Sequence, residues 1–128
     1  MRVLLDTHAL LWAVLSPKSL SRRASSAIAN PSNEIVVSAA SAWEIATKVR
    51  LGKLKGAEAL EGDFLAVIDA AGYSLLSIDA SSALRAGRLA SQHRDPFDRV
   101  LAAQSLAEDI PIISTDAQLD SFGVRRLW

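Results

Sequence analysis

Short β-rich runs alternate with longer stretches of helical period along the whole chain, and that alternation restricts the fold more than any other feature. Val3–Leu5, Glu34–Ser38, Tyr73–Ile78 and Ile110–Ser114 read as strands, and Val124–Leu127 offers a fifth. Helices are predicted over Thr7–Leu15, Ser21–Ala29, Ala42–Leu51, Ala57–Ala71, Ser81–Gln92 and Phe97–Glu108, with a short one after Ser114. Asn30-Pro31 ends the second helix, because proline disfavours helix in the residue before it. Gly52 and Gly72 supply C-terminal stops for the third and fourth. Parallel strands need crossover connections, so this order specifies an α/β fold with a central parallel sheet and helices on both faces.

The 128 residues leave room for one domain, and 50% hydrophobic content is enough to give it a core. The chain has no cysteine, which excludes disulfide scaffolds, cysteine-ligated zinc and thiol catalysis. Nothing in it argues for export. Asp6 and His8 interrupt the apolar N-terminal run that might pass for a signal-peptide core, so a cytoplasmic protein with no membrane association is expected. Fourteen basic residues balance fourteen acidic ones, which removes the simplest argument for a nucleic-acid binder.

In open α/β folds ligands gather at the carboxyl ends of the strands, and there the chain places acids. Asp6 follows the first strand, Glu44 lies in the helix after EIVVS, Asp98 opens the helix before the fourth strand, and Asp116 follows it. Taken singly, each has a bland explanation, since acids cap helices and complement the helix dipole. Ser41-x-x-Glu44 matches a capping box, and Asp95-Pro96-Phe97-Asp98 reads as an N-cap, a proline at N1 and an acid at N3. Asp79 is an internal control, a cap after a strand that needs no chemistry. Taken together, the acids would repel one another unless a cation neutralised them. An oxygen-only donor set without a spaced histidine cluster suits Mg²⁺, or Mn²⁺, rather than zinc. Metal-assisted hydrolysis of a phosphoester is the reaction class that follows.

LLDTH at 4–8, SAWEIATKVRLGKL at 41–54, HRDPFDR at 93–99 and STD at 114–116 together resemble the PIN-domain nucleases, specifically the VapC-type toxins of toxin–antitoxin modules. The resemblance spans essentially the whole chain, 1–128, and implies a single three-layer α/β/α sandwich. It implies an endoribonuclease held inactive by a cognate VapB-type antitoxin, with a homodimer expected. It also implies that Asp6 and Asp98 are the principal Mg²⁺ ligands. Asp116 would complete the site directly or through water, and Glu44 would position or activate the attacking water. None of these four acidic positions is substituted.

The remaining candidates are cationic or aromatic. Lys48, Arg50, Lys53 and Lys55 form an acid-free basic run that suits either a helix C-terminus or a phosphate-contacting rim. Arg94 and Arg99 flank Asp98 and are placed to orient a phosphate, although an ion pair with a neighbouring acid is the favoured role for Arg99. Thr115, beside Ser114, either meets bound water or caps the last helix. His8 is expected to pack beside the first helix, and His93 to end a helix. Trp12 and Trp43 are read as core residues, while Leu11, Trp12 and Leu15 could also form a dimer or antitoxin face. Two rivals accompany the nuclease reading: a catalytically silent PIN-like module that binds RNA or protein, and a small phosphatase or phospho-accepting receiver. The second lacks the D-x-D pairing it would need.

Overall fold

A computed structural model describes all 128 residues. Five parallel strands, β1 (Arg2–Leu5), β2 (Glu34–Ser38), β3 (Ser74–Leu76), β4 (Ile112–Ile113) and β5 (Arg126–Leu127), form one sheet in the order β3-β2-β1-β4-β5. The pairing sets Leu4 beside Val36 and Ile112, and Leu5 beside Val37 and Ile113. Val3, Leu4 and Leu5 are fully buried, as a central parallel strand covered on both faces requires.

Seven α-helices cover the two faces: α1 (Thr7–Leu15), α2 (Arg22–Ala29), α3 (Ala39–Arg50), α4 (Glu58–Gly62), α5 (Phe64–Ala70), α6 (Ala80–Arg88) and α7 (Pro96–Glu108). The strand period of two sorts the sheet residues between them. Val3, Leu5, Ile35, Val37 and Ile113 join α1 through Leu10 and Leu11, α3 through Ile45, and α4 and α5 through Leu60, Phe64 and Ile68. Leu4, Val36 and Ile112 face the other way, against Ala86 of α6, Val100 to Ala103 of α7, Leu119 and Phe122. The result is the expected α/β/α sandwich. No helix is long and apolar enough to cross a membrane.

The third, fourth and fifth strands are shorter than the sequence reading, and three helical differences bear on the site. Helix α3 begins at Ala39, capped by Ser38, whose hydroxyl accepts the Ala40 N–H at 3.0 Å. Ser41 is therefore inside the helix and the capping box does not form. Its hydroxyl is buried against that of Thr7, 3.0 Å away, and ties α3 to α1. The single helix expected over Ala57–Ala71 is broken at Asp63, although Leu60, Phe64 and Ile68 still form its buried stripe. Helix α6 stops at Arg88, and 89–95 runs as an extended connection to α7 instead of continuing the helix.

From β1 the chain passes outward to β2 and β3 on one side, then returns to place β4 and β5 on the other. The carboxyl end of β1 is thus a topological switch point, where a crevice opens between diverging connections.

Candidate metal centre

Asp6 stands at that crevice. It is the N-cap of α1, buried, and accepts the Ala9 N–H at 2.7 Å. Asp116, after β4, caps the 3₁₀ turn Ala117–Phe122 through the Gln118 N–H at 2.9 Å. Its own N–H donates to the fully buried Ser114 hydroxyl at 2.9 Å. Asp98 sits in the first turn of α7, and its N–H donates to the capping carboxylate of Asp95 at 3.0 Å. Glu44 enters from α3, buried, and accepts a charged hydrogen bond from Lys48 one turn along.

These side chains line one cavity of about 140 Å³ with Thr7, His8, Lys48, Asp95 and Thr115. Five carboxylates (Asp6, Glu44, Asp95, Asp98 and Asp116) face a single ammonium, Lys48. Burial pushes the Asp6 carboxyl up; the Ser114 and Ala9 hydrogen bonds oppose this, and the charge of Glu44 adds to it. Burial likewise drives Asp98 up to about 6; the His93 hydrogen bond opposes the shift, while Asp95 and Glu44 reinforce it. Burial works against the charge of Lys48, yet Glu44, Asp95 and Asp98 outweigh it and hold its pKa above the usual lysine value. The pocket is short of positive charge, which crowded carboxylates need if all are to stay ionised.

All four acids named from sequence reach this cavity. The tightest donor set lies at the edge of this cavity and is not the expected one, however, because His93 lines the adjoining cavity instead. A ring nitrogen of His93 and carboxylate oxygens of Asp98 and Asp116 lie within 4.8 Å of one another, and Asp6 is outside that trio. His93 does not end a helix. The extended 89–95 connection carries it over the first turn of α7, where Nε2 meets Asp98 Oδ2 at 2.8 Å. Asp95, read only as a cap, also faces the cavity. The sequence reading put His93 at the end of the preceding helix, so only the path of that connection reveals its place.

The cations separate into two kinds. Of the basic run only Lys48 enters the cavity; Arg50, Lys53 and Lys55 are exposed beyond it, around the end of α3. Arg99 makes no ion pair with an acid. Its guanidinium donates to four backbone carbonyls, those of Ala86, Leu89, Ser91 and His93, and thereby fixes the connection between α6 and α7. Four of its five N–H groups are spent there, which leaves little for a phosphate. Arg94 is exposed and lines an adjoining open cavity of about 420 Å³ with Ser91, Gln92, His93 and Arg99. His8 is exposed at the rim of the acidic cavity, its ring 5.9 Å from that of Trp12. Trp43 is not a core residue: it is 53% exposed and packs edge-on against Phe97 at 4.5 Å.

The family model described as "PIN domain" matches residues 3–124. The chain belongs to the PIN domain family. The same fold is found in VapBC2 from Rickettsia felis, solved bound to a DNA fragment from its promoter. The TM-score is 0.70 at 14% identity, over 98% of this chain and 97% of that one. VapBC-1 from nontypeable Haemophilus influenzae superposes with a TM-score of 0.63 at 17% identity, covering 98% and 96%. FitAcB from Neisseria gonorrhoeae does so at 0.58 and 16%, covering 97% and 95%. No curated protein is significantly similar in sequence. In this PIN domain the acidic cavity therefore lies where the strand order reverses, with five carboxylates from four separate segments, Asp95 and Asp98 sharing the start of α7.

Proposed function

We propose that this PIN domain is a Mg²⁺-dependent endoribonuclease, the toxin of a VapBC-type toxin–antitoxin pair, with Mn²⁺ able to replace Mg²⁺. One observation carries the reading: five carboxylates and one ammonium converge on a single small cavity at the switch point of the sheet. Two of those carboxylates, Asp6 and Asp98, are pushed up by burial, so the site is poised to gain from a cation. The oxygen-rich donor set fits a hard divalent ion, held by Asp98 and Asp116 with Asp6 behind them. When bound, such an ion lowers the pKa of water and stabilises charge on a phosphoryl oxygen.

The chain's own residues divide the remaining work. Glu44, buried and oriented by Lys48, is the acceptor placed to align an attacking water and take its proton. Lys48 is the only cation inside the cavity, and it meets the scissile phosphate there. Thr115, exposed on the cavity lip, offers a hydroxyl to that phosphate. Arg94, on the adjoining open surface, contacts a neighbouring phosphate of the RNA. Lys53 supplies a more distant charge, and Arg99 acts by holding the connection that carries His93 and Arg94. The VapBC names of the structures sharing this fold support a cognate antitoxin as partner; a homodimer is the expected resting form of the toxin.

RNA cleavage with added Mg²⁺, abolished by EDTA and absent in Asp98→Asn, is the expected result. RNA bound without cleavage at any divalent concentration would overturn the proposal and favour a silent binding module.

A further inference from the structure

We infer that His93 is a direct ligand of the divalent ion, giving this site a mixed nitrogen and oxygen donor set. The inference rests on the metal reading above and adds a donor to it. His93 Nε2 and Asp98 Oδ2 are 2.8 Å apart. Two adjacent donors on one ion, with bonds of about 2.1 Å near right angles, stand about 3 Å apart, so this pair already has the spacing of neighbouring ligands. Asp116 supplies a third donor within 4.8 Å of both.

The ring is held in place from several directions. The backbone N–H of His93 donates to the Ser91 hydroxyl at 3.2 Å, and its carbonyl accepts from Arg99 at 2.8 Å. Its imidazole packs edge-on against Phe122 with centroids 5.6 Å apart, and the Arg99 guanidinium lies 5.6 Å from the same phenyl ring. Arg99 thus spends its donors on the loop that carries the His93 ring to Asp98. A histidine serving only to neutralise Asp98 would not need this scaffold, since Lys48 already interacts with the charge of Asp98.

A nitrogen donor has a consequence for metal choice. Mg²⁺ prefers all-oxygen coordination, whereas imidazole favours Mn²⁺ and the later transition ions. The site is therefore expected to bind Mn²⁺ more tightly than Mg²⁺. Replacing His93 by glutamine is expected to cost roughly 10–100-fold in Mn²⁺ affinity and to narrow the preference.

The test is Mn²⁺ binding to the full chain without RNA, followed by pulsed electron paramagnetic resonance of the bound ion. Wild type is expected to show ¹⁴N modulation from a directly coordinated imidazole, retained in His8→Gln and lost in His93→Gln. Bound Mn²⁺ without ¹⁴N modulation in wild type would overturn the His93 assignment while leaving a carboxylate-only metal site intact. Modulation lost in His8→Gln and kept in His93→Gln would overturn it in favour of His8, which lines the acidic cavity. Failure of wild type to bind Mn²⁺ at millimolar concentration would overturn the metal reading itself, and the inference with it. Where His93→Gln folds poorly, modulation in wild type that persists in His8→Gln still assigns the nitrogen to His93, the other histidine of the chain.

Discussion

Asp6 and Asp79 make the same local motif in different places. Each follows a strand, caps a helix from an extended backbone with ψ of 171°, and accepts an N–H three residues on at 2.7 Å. Their chemistry is opposite. Asp79 follows the edge strand β3, is exposed, and has its carboxyl lowered by the Ser82 hydrogen bonds. Asp6 follows the central strand β1, is buried, and has its carboxyl raised by that burial and by Glu44. The cap is a property of the local sequence, whereas the reactivity comes from which strand precedes it. An acid at the edge of the sheet meets water. At the switch point the same acid meets three other connections, each bringing a carboxylate of its own.

The largest effect expected from this contrast is on catalysis. Asp6→Asn and Asp98→Asn should each lower RNA cleavage by at least about 100-fold, while Asp79→Asn stays within about twofold of wild type. Gel-based rates at saturating Mg²⁺ would show this, and equal losses at Asp6 and Asp79 would break the distinction.

The next effect is on pH. Asp98 must be ionised to hold a cation, and its carboxyl stands at about 6. Mn²⁺ affinity is therefore expected to climb up to about tenfold per pH unit below 6 and to level off above it. The stability of the metal-free protein moves the opposite way. The fold holds the Asp98 proton more tightly than the unfolded chain does, so this group makes stability fall as pH rises from 3.8 to about 6. Asp79, whose carboxyl is lowered, contributes stability that is present above 3.8 and lost as pH falls below it. Thermal melts across pH 3 to 7 on Asp98→Asn and Asp79→Asn should each remove one of these slopes.

Smaller shifts are expected at fixed pH. Near pH 7 without metal, Asp98→Asn should raise Tm by roughly 2–5 °C, because it removes a charge that the cavity disfavours. Asp79→Ala should lower Tm slightly through loss of a cap and leave metal uptake unchanged. Calorimetric melts with and without Mn²⁺ would separate the two.

Most of the fold was legible because local signals and topology agree. The Val3–Leu5 run and Ile35–Ser38 of β2 are buried on both faces and lie where the sequence put them, and Asp95-Pro96 starts α7 as read. The failures have physical causes. Ser38 and Ser41 are both good caps, and Ser38 prevails because it ends β2 directly, leaving Ser41 to hold Thr7 across two helices. Arg99 looked like a phosphate ligand by type, but seven residues of extended chain beside it left carbonyls without partners, and they took its donors. His93 was misplaced for the same reason, whereas Trp43 lies in α3 on a half-exposed side where it packs against Phe97. Periodicity reports which face of an element is buried, and neither burial nor contact in 89–95 follows from a period.

Calorimetric titration of Mn²⁺ into four proteins tests the central claim most directly. Wild type and Asp79→Asn should bind with the same affinity, and Asp6→Asn and Asp98→Asn should lose most or all of it. Undiminished binding by Asp98→Asn would contradict the account, because the cavity at the switch point would then not be where the ion is held.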